Sequence, residues 1–148
     1  LVGEEGRVIA FDIQQDAVDS TRALLQEKGY QDRVEVFLDS HSNMDQYAEE
    51  NTVDCITFNF GYLPGGDHNI FTTPATSIPA IEKGLKLLKQ GGLMSLCVYY
   101  GGDSGFEEKD ALMEYFRTID SKQYTVLITE FANRPNNPPI PVFILKQI

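Results

Sequence analysis

Short apolar runs alternate with segments of helical period from Arg7 to Ile119, and this alternation most narrows the folds open to the chain. Arg7–Ile13 (RVIAFDI) has the pattern of a buried strand closed by an acid. Gln15–Lys28 then places Val18, Thr21, Leu24, Leu25 and Lys28 at helical spacing and stops at Gly29, a helix C-terminal signal. Arg33–Leu38 reads as a second strand ending at Asp39, Ser42–Glu50 as a short helix, and Val53–Phe60 as a third strand. A Gly- and Pro-rich loop from Gly61 to Pro74 leads to a helix over Ser77–Lys89, with Ile78, Ile81, Leu85 and Leu88 inward and Gly91-Gly92 as its stop. Leu93–Tyr100 is the most apolar run, so burial on both faces of a parallel sheet is expected. Phe106–Ile119 is a further helix with Leu112, Met113 and Phe116 as its inner stripe.

The pattern changes after Ile119. Tyr124–Phe131 and Pro141–Lys146 are strands joined by Ala132–Ile140, which is too rich in proline for a helix. Without a crossover helix they must pair antiparallel, as a hairpin. The chain therefore reads as one α/β domain over residues 1–148, a doubly wound and mostly parallel sheet finished by an antiparallel hairpin. Its opening, Leu1–Gly6, looks like a helix tail and turn, and no Gly-rich turn precedes Arg7. We therefore expect the first βα unit of such a sheet, on the order of 30 residues, to lie upstream of Leu1.

Composition bounds the function. With 12 Lys+Arg against 22 Asp+Glu the formal charge is −10, so the surface as a whole is not a polyanion-binding field and any nucleic-acid contact must be local. No apolar run approaches the roughly 20 residues that span a bilayer, so no membrane partner is expected. Cys55 and Cys97 sit inside apolar runs, which points to a reducing, cytoplasmic setting instead of a disulfide scaffold. With two histidines and no ligand spacing among His41, His68 and the cysteines, no metal site is expected. A homodimer remains among the assemblies open to the chain.

Chemistry-bearing residues fall at strand ends. In open α/β sheets ligands bind outside the carboxyl ends of the strands, where an acid such as Asp12 can accept both hydroxyls of a ribose. A helix-capping role ahead of Gln14 is the plainer alternative. Asp39-Ser40-His41 follows the second strand at the same edge, where an Asp or Ser can meet an adenine amino group. Turn formation explains those residue types equally well. The stretch Asn59-Phe60-Gly61-Tyr62-Leu63-Pro64-Gly65-Gly66-Asp67-His68 is the most informative: an amide at a strand end, then aromatics, then a polar loop. An Asn carbonyl can accept an amine N–H and aim the nitrogen lone pair, so that catalysis is largely positioning. Tyr62 could stack on an unstacked base, and Asp67 or His68 could take the proton of an alkyl amine. Of Tyr99 and Tyr100, the second lies nearer the strand end and is the candidate substrate contact. Asn137-Pro138-Pro139-Ile140 resembles a catalytic Asn-Pro-Pro-aromatic motif but lacks the aromatic and falls in the hairpin loop. Glu107, Glu108 and Asp110 read as solvated acids favoured at a helix start, and Lys83, Lys86 and Lys89 as a modest solvated basic face.

The order of elements with a closing hairpin resembles class I S-adenosylmethionine-dependent methyltransferases. More narrowly, VIAFDIQ, LDSHSNMDQY, FNFGYLPGGDH and YYGGDSGFEEK resemble a family of small bacterial rRNA methylases, which includes a tRNA wobble-base methyltransferase. The resemblance implies a Rossmann-like methyltransferase sheet and S-adenosylmethionine as cofactor. It implies that Asp12 and Gln14 contact the ribose side, that Asp39, Ser40 and His41 contact the adenine side, and that Asn59 stands at the reacting methyl. Tyr62, Asp67 and His68 would lie near the incoming base, and a tRNA anticodon loop would be the partner. The Gly-rich loop of that family has no counterpart between Leu1 and Ile148. The implied reaction is methylation of the aminomethyl nitrogen of 5-aminomethyl-2-thiouridine. The competing expectations are an rRNA or small-molecule methyltransferase, a nicotinamide-dependent reductase, disfavoured by the absent Tyr-x-x-x-Lys pair, and a nucleotide-binding module without catalysis.

Overall fold

In the computed structural model, which describes residues 1–61 and 72–148 (backbone only for 102–105), the strands fall into two groups. β1 (Val8–Asp12) pairs parallel with β2 (Val34–Leu38), in register from Val8↔Val34 to Asp12↔Leu38. The remaining strands form a four-stranded sheet in the order β3 (Val53–Phe60), β4 (Leu88–Val98), β6 (Ile140–Lys146), β5 (Tyr124–Ile128). β3 and β4 run parallel, while β6 is antiparallel to both β4 and β5. The alternation and the closing hairpin expected from sequence are thus both present, with β6 inserted between β4 and β5.

Helices α1 (Gln15–Lys28), α2 (Pro74–Leu87) and α3 (Gly102–Thr118) make the crossovers. α1 ends as its glycine predicts: Gly29 is left-handed at φ 75°, its N–H donates to Gln26 O, and Tyr30 N–H donates to Leu25 O. Its inward stripe is narrower than the spacing implied. Val18 is buried, Leu25 is half-buried, and Leu24 is exposed. The short helix expected over Ser42–Glu50 is a 3₁₀ helix over His41–Gln46, opened by Ser40 Oγ accepting Ser42 N–H.

The core lies on one face of the four-stranded sheet. Period-2 alternation sends Phe58 and Phe60, Met94, Leu96 and Val98, and Val142 and Ile144 to that face. Ala80, Ile81 and Leu85 of α2 and Leu112 and Phe116 of α3 cover them. Gly84 allows the closest approach of α2, because a Cβ there would stand 2.7 Å from Met94 Cε and 3.3 Å from Ile56 Cδ1. On the opposite face Leu93, Ser95 and Cys97 are only half-covered, so the two-sided burial expected for this strand holds on one side.

The passage from α2 to β4 corrects another expectation. The helix stops at Leu87, before the glycines, and the chain becomes extended at Leu88 at once. Val53 pairs with Leu88 and Cys55 with Leu93, so Asp54 alone faces Lys89–Gly92. Gly91, at φ 76°, belongs to this bulge and not to a helix end. Lys146 then ties β6 to the α2 terminus, its Nζ donating to Leu85 O, Leu88 O and Asn51 Oδ1.

Candidate active site

Parallel pairing aligns the carboxyl ends of β1 and β2 and those of β3 and β4, and polar side chains from both pairs meet a cleft of about 790 Å³. That volume lies within the roughly 300–1,000 Å³ of small-molecule sites. Among the described residues β1 has only β2 as a strand neighbour and β3 only β4, and both strands line this cleft. The cleft has two chemically distinct parts. Along the strand edges it is apolar, with Val8, Ile9, Ala10, Val53 and Ile56, and at the carboxyl ends Asp12, Gln14, Asp39, Ser40 and Asn59 make it polar.

Asp12 ends β1, and its Oδ1 accepts Gln14 N–H at 2.9 Å. Among the described residues no donor reaches Oδ2, which leaves an acceptor for a ligand. The capping and ligand readings of Asp12 are therefore compatible. One oxygen orders the entry to α1, and the other is spare.

Asp39 is more heavily engaged. Its Oδ1 accepts Ser40 N–H and Asn43 Nδ2, and its Oδ2 accepts the Tyr47 hydroxyl at 2.6 Å. The bonds from Tyr47, Asn43 and Ser40 favour the ionised form and hold its pKa below the ordinary value. Asp39 thus orders the turn that presents Ser40 and His41 to the cleft. Tyr47, whose ring packs against Phe11 and Phe37, anchors that turn to β1 and β2. His41 stands edge-on to Phe58 and Phe60 with centroids 5.7 and 5.6 Å away. Burial lowers its pKa, so the imidazole is neutral at pH 7.

Asn59 is exposed on β3, on the strand face opposite Phe58 and Phe60, and lines the same cleft. Asp12, Gln14, Asp39, Ser40, His41 and Asn59, picked from three separate strand ends, therefore converge on one cavity. Tyr62, Asp67 and His68 lie outside the described residues. Tyr100 is not where the alternation argument put it. β4 ends at Val98, so strand alternation cannot be carried to the next two residues. Tyr99 lines the cleft, and Tyr100 packs against Phe106 with Lys109 Nζ 5.3 Å above its ring.

Sequence reading also misjudged Glu108, which is 4% exposed instead of solvated and accepts hydroxyls from Ser77 and Thr72. A signal was available: Ser77, Ile81 and Leu85 share an i, i+4, i+8 stripe, so Ser77 had to be buried and needed a partner.

Parallel strands crossed over by helices, an antiparallel strand inserted next to the sheet edge and a polar cleft at the carboxyl ends define a Rossmann-like methyltransferase fold. The family model described as "Putative rRNA methylase" matches residues 8–145, and the chain belongs to that family. A chloroplastic tRNA (mnm(5)s(2)U34)-methyltransferase of Arabidopsis thaliana is 37% identical over 150 residues, covering 99% of this chain and 54% of the relative. The chain thus spans about half the length of that curated relative. The crystal structure of a "putative rRNA-methylase" from Clostridium thermocellum is 46% identical with a TM-score of 0.94, covering 99% of this chain and 78% of that one. A "putative methyltransferase" from Streptococcus mutans, solved in complex with SAH, is 36% identical with a TM-score of 0.85 over 95% of this chain and 76% of its own.

Proposed function

We propose that this chain belongs to an S-adenosylmethionine-dependent RNA methyltransferase. In that reading the target is the aminomethyl nitrogen of 5-aminomethyl-2-thiouridine at a tRNA wobble position. The observation that carries it is the convergence of Asp12, Ser40, His41 and Asn59 on one cleft, in a chain whose curated relative is named for that tRNA position.

The residues present fit the cofactor. The spare Oδ2 of Asp12 suits ribose hydroxyls, with Gln14 beside it. Ser40 and the neutral His41 ring, held by Asp39, suit an adenine that packs on a partly apolar wall. When bound, S-adenosylmethionine supplies an electrophilic methyl group on a sulfonium. Asn59 would accept an N–H of the target amine through its side-chain carbonyl and so orient the nitrogen lone pair. In this reading Tyr62 stacks on the base and Asp67 or His68 takes the proton released from nitrogen.

The apolar half of the cleft has a different occupant in this reading. The edges of β1 and β3 that have no strand partner among the described residues leave room there for one more extended segment. Free thiols at Cys55 and Cys97 support placing the reaction in the cytoplasm.

The test is calorimetric titration of protein carrying whatever natural sequence precedes Leu1, against S-adenosylmethionine and NADH in parallel, followed by assay on under-modified tRNA. Micromolar binding of the first alone is expected. Asn59→Ala is expected to lower turnover by about 100-fold with cofactor affinity little changed. Binding of NADH alone would overturn the reading, and an Asn59→Ala variant with full turnover would remove Asn59 from the mechanism.

A further inference from the structure

Glu108 is the one acid buried in the core among the described residues, and it has no part in the chemistry above. It projects from α3 toward the start of α2. There its Oε1 accepts the Ser77 hydroxyl at 2.6 Å, and its Oε2 accepts the Thr72 hydroxyl at 3.0 Å. Ser77 is fully buried, so both members of that pair are withdrawn from water.

Thr72 passes the contact on. Its Oγ1 accepts Gly61 N–H at 2.7 Å, while its own N–H donates to Gly61 O at 3.1 Å. Gly61 and Thr72 are therefore joined by two bonds across the ends of residues 62–71, and Glu108 braces the join from the core side. Gly61 is also fixed against β4. At φ 122° it lies so near the chain that a Cβ would stand 3.0 Å from Tyr99 Cβ and 3.1 Å from Tyr99 O. Tyr99 N–H in turn donates to Phe60 O. Asn59 is two residues from this join. A buried acid with no cation partner among the described residues is costly to keep, and here its two oxygens are satisfied by hydroxyls that a solvated helix acid would not need.

We infer that Glu108 is a positioning residue, acting through Thr72 and Gly61 to fix the end of β3 and hence the aim of Asn59. The inference rests on the methyltransferase reading for its consequence, though not for its geometry. Thr72→Val keeps the shape of the side chain and removes its hydroxyl, whereas Thr72→Ser keeps the hydroxyl. Glu108→Gln replaces one acceptor by a donor.

The experiment compares these three variants with the parent, again with any natural sequence preceding Leu1. It reads kcat and KM for under-modified tRNA, calorimetric affinity for S-adenosylmethionine, thermal midpoint, and hydrogen exchange of the Gly61 and Thr72 amides. Thr72→Val and Glu108→Gln are expected to exchange those two amides at least tenfold faster. Both are expected to lose about ten- to a hundredfold in kcat, with cofactor affinity within about twofold of the parent, and Thr72→Ser to restore both readouts. A fall in thermal midpoint with kcat and the two amides unchanged would reduce Glu108 to a fold-stabilising residue and overturn the inference. If the parent transfers no methyl group, the methyltransferase reading fails by itself. Unaltered exchange at Gly61 and Thr72 would then still overturn the brace, and accelerated exchange would still support it.

Discussion

At the scale of single residues, the position of a side chain along its strand was more informative than its type. Asp12, Asp39 and Asn59 were legible because each closes an apolar run, and parallel pairing aligns such endings within each strand pair, both of which meet the cleft. Tyr99 and Tyr100 were not legible, because their faces depend on where β4 stops, and the alternation is lost once pairing ends at Val98. Glu108 was hidden for a related reason. An acid in the first turns of a helix is ordinary, and only a contact between α2 and α3 buries this one. His41 gives a prediction at this scale. Burial lowers its pKa in the folded protein, so below the ordinary value of about 6.5 the unfolded chain takes up a proton that the folded one refuses. The unfolded state then binds more protons, and stability rises with pH across the window below about 6.5 and levels off above it. Replacing His41 by Gln is expected to flatten that rise relative to the parent, as read by urea unfolding at steps from about pH 5 to 7.5. An unchanged slope would show that His41 does not contribute to it.

Elements were recognised more reliably than their junctions. Every strand and long helix expected between Arg7 and Lys146 is present, because the period of the apolar residues reports burial directly. The junction of α2 and β4 was misplaced because Gly91-Gly92 has the same composition whether it ends a helix or makes a bulge. The choice is made by the pairing of β3 with β4, which is not local. How closely α2 lies on the sheet is set by Gly84. Gly84→Val would place a branched side chain against Met94 and Ile56, and a loss of about 2–3 kcal/mol in unfolding free energy is expected. Gly84→Ala is expected to stay within about 1 kcal/mol of the parent, since the helix preference of Ala offsets a small displacement of the Met94 tip. Chemical denaturation of both variants checks this. Equal losses would mean that α2 does not sit at contact distance.

Over the whole molecule, charge decides how an RNA could be held. The surplus of acids gives −10 overall, and two of the three lysines on the modest basic face are already paired, Lys83 with Asp45 and Lys89 with Asp54. On the proposed function, affinity for tRNA is therefore expected to depend weakly on salt. The slope of log K against log salt is expected to be no steeper than about −2 to −3, the value for a few neutralised phosphates. Binding measured between about 50 and 200 mM salt checks this, and a slope near −6 would reveal a phosphate-binding surface elsewhere in the protein. The sheet order has a different kind of consequence, for synthesis. β6 is made after both β4 and β5, yet it lies between them. While a ribosome is still translating residues 129–139, β5 has no partner in the sheet and one side of β4 is bare. A message cut short before Ile140 would yield a chain with two exposed sheet edges, a substrate for quality-control proteases and not a weaker enzyme.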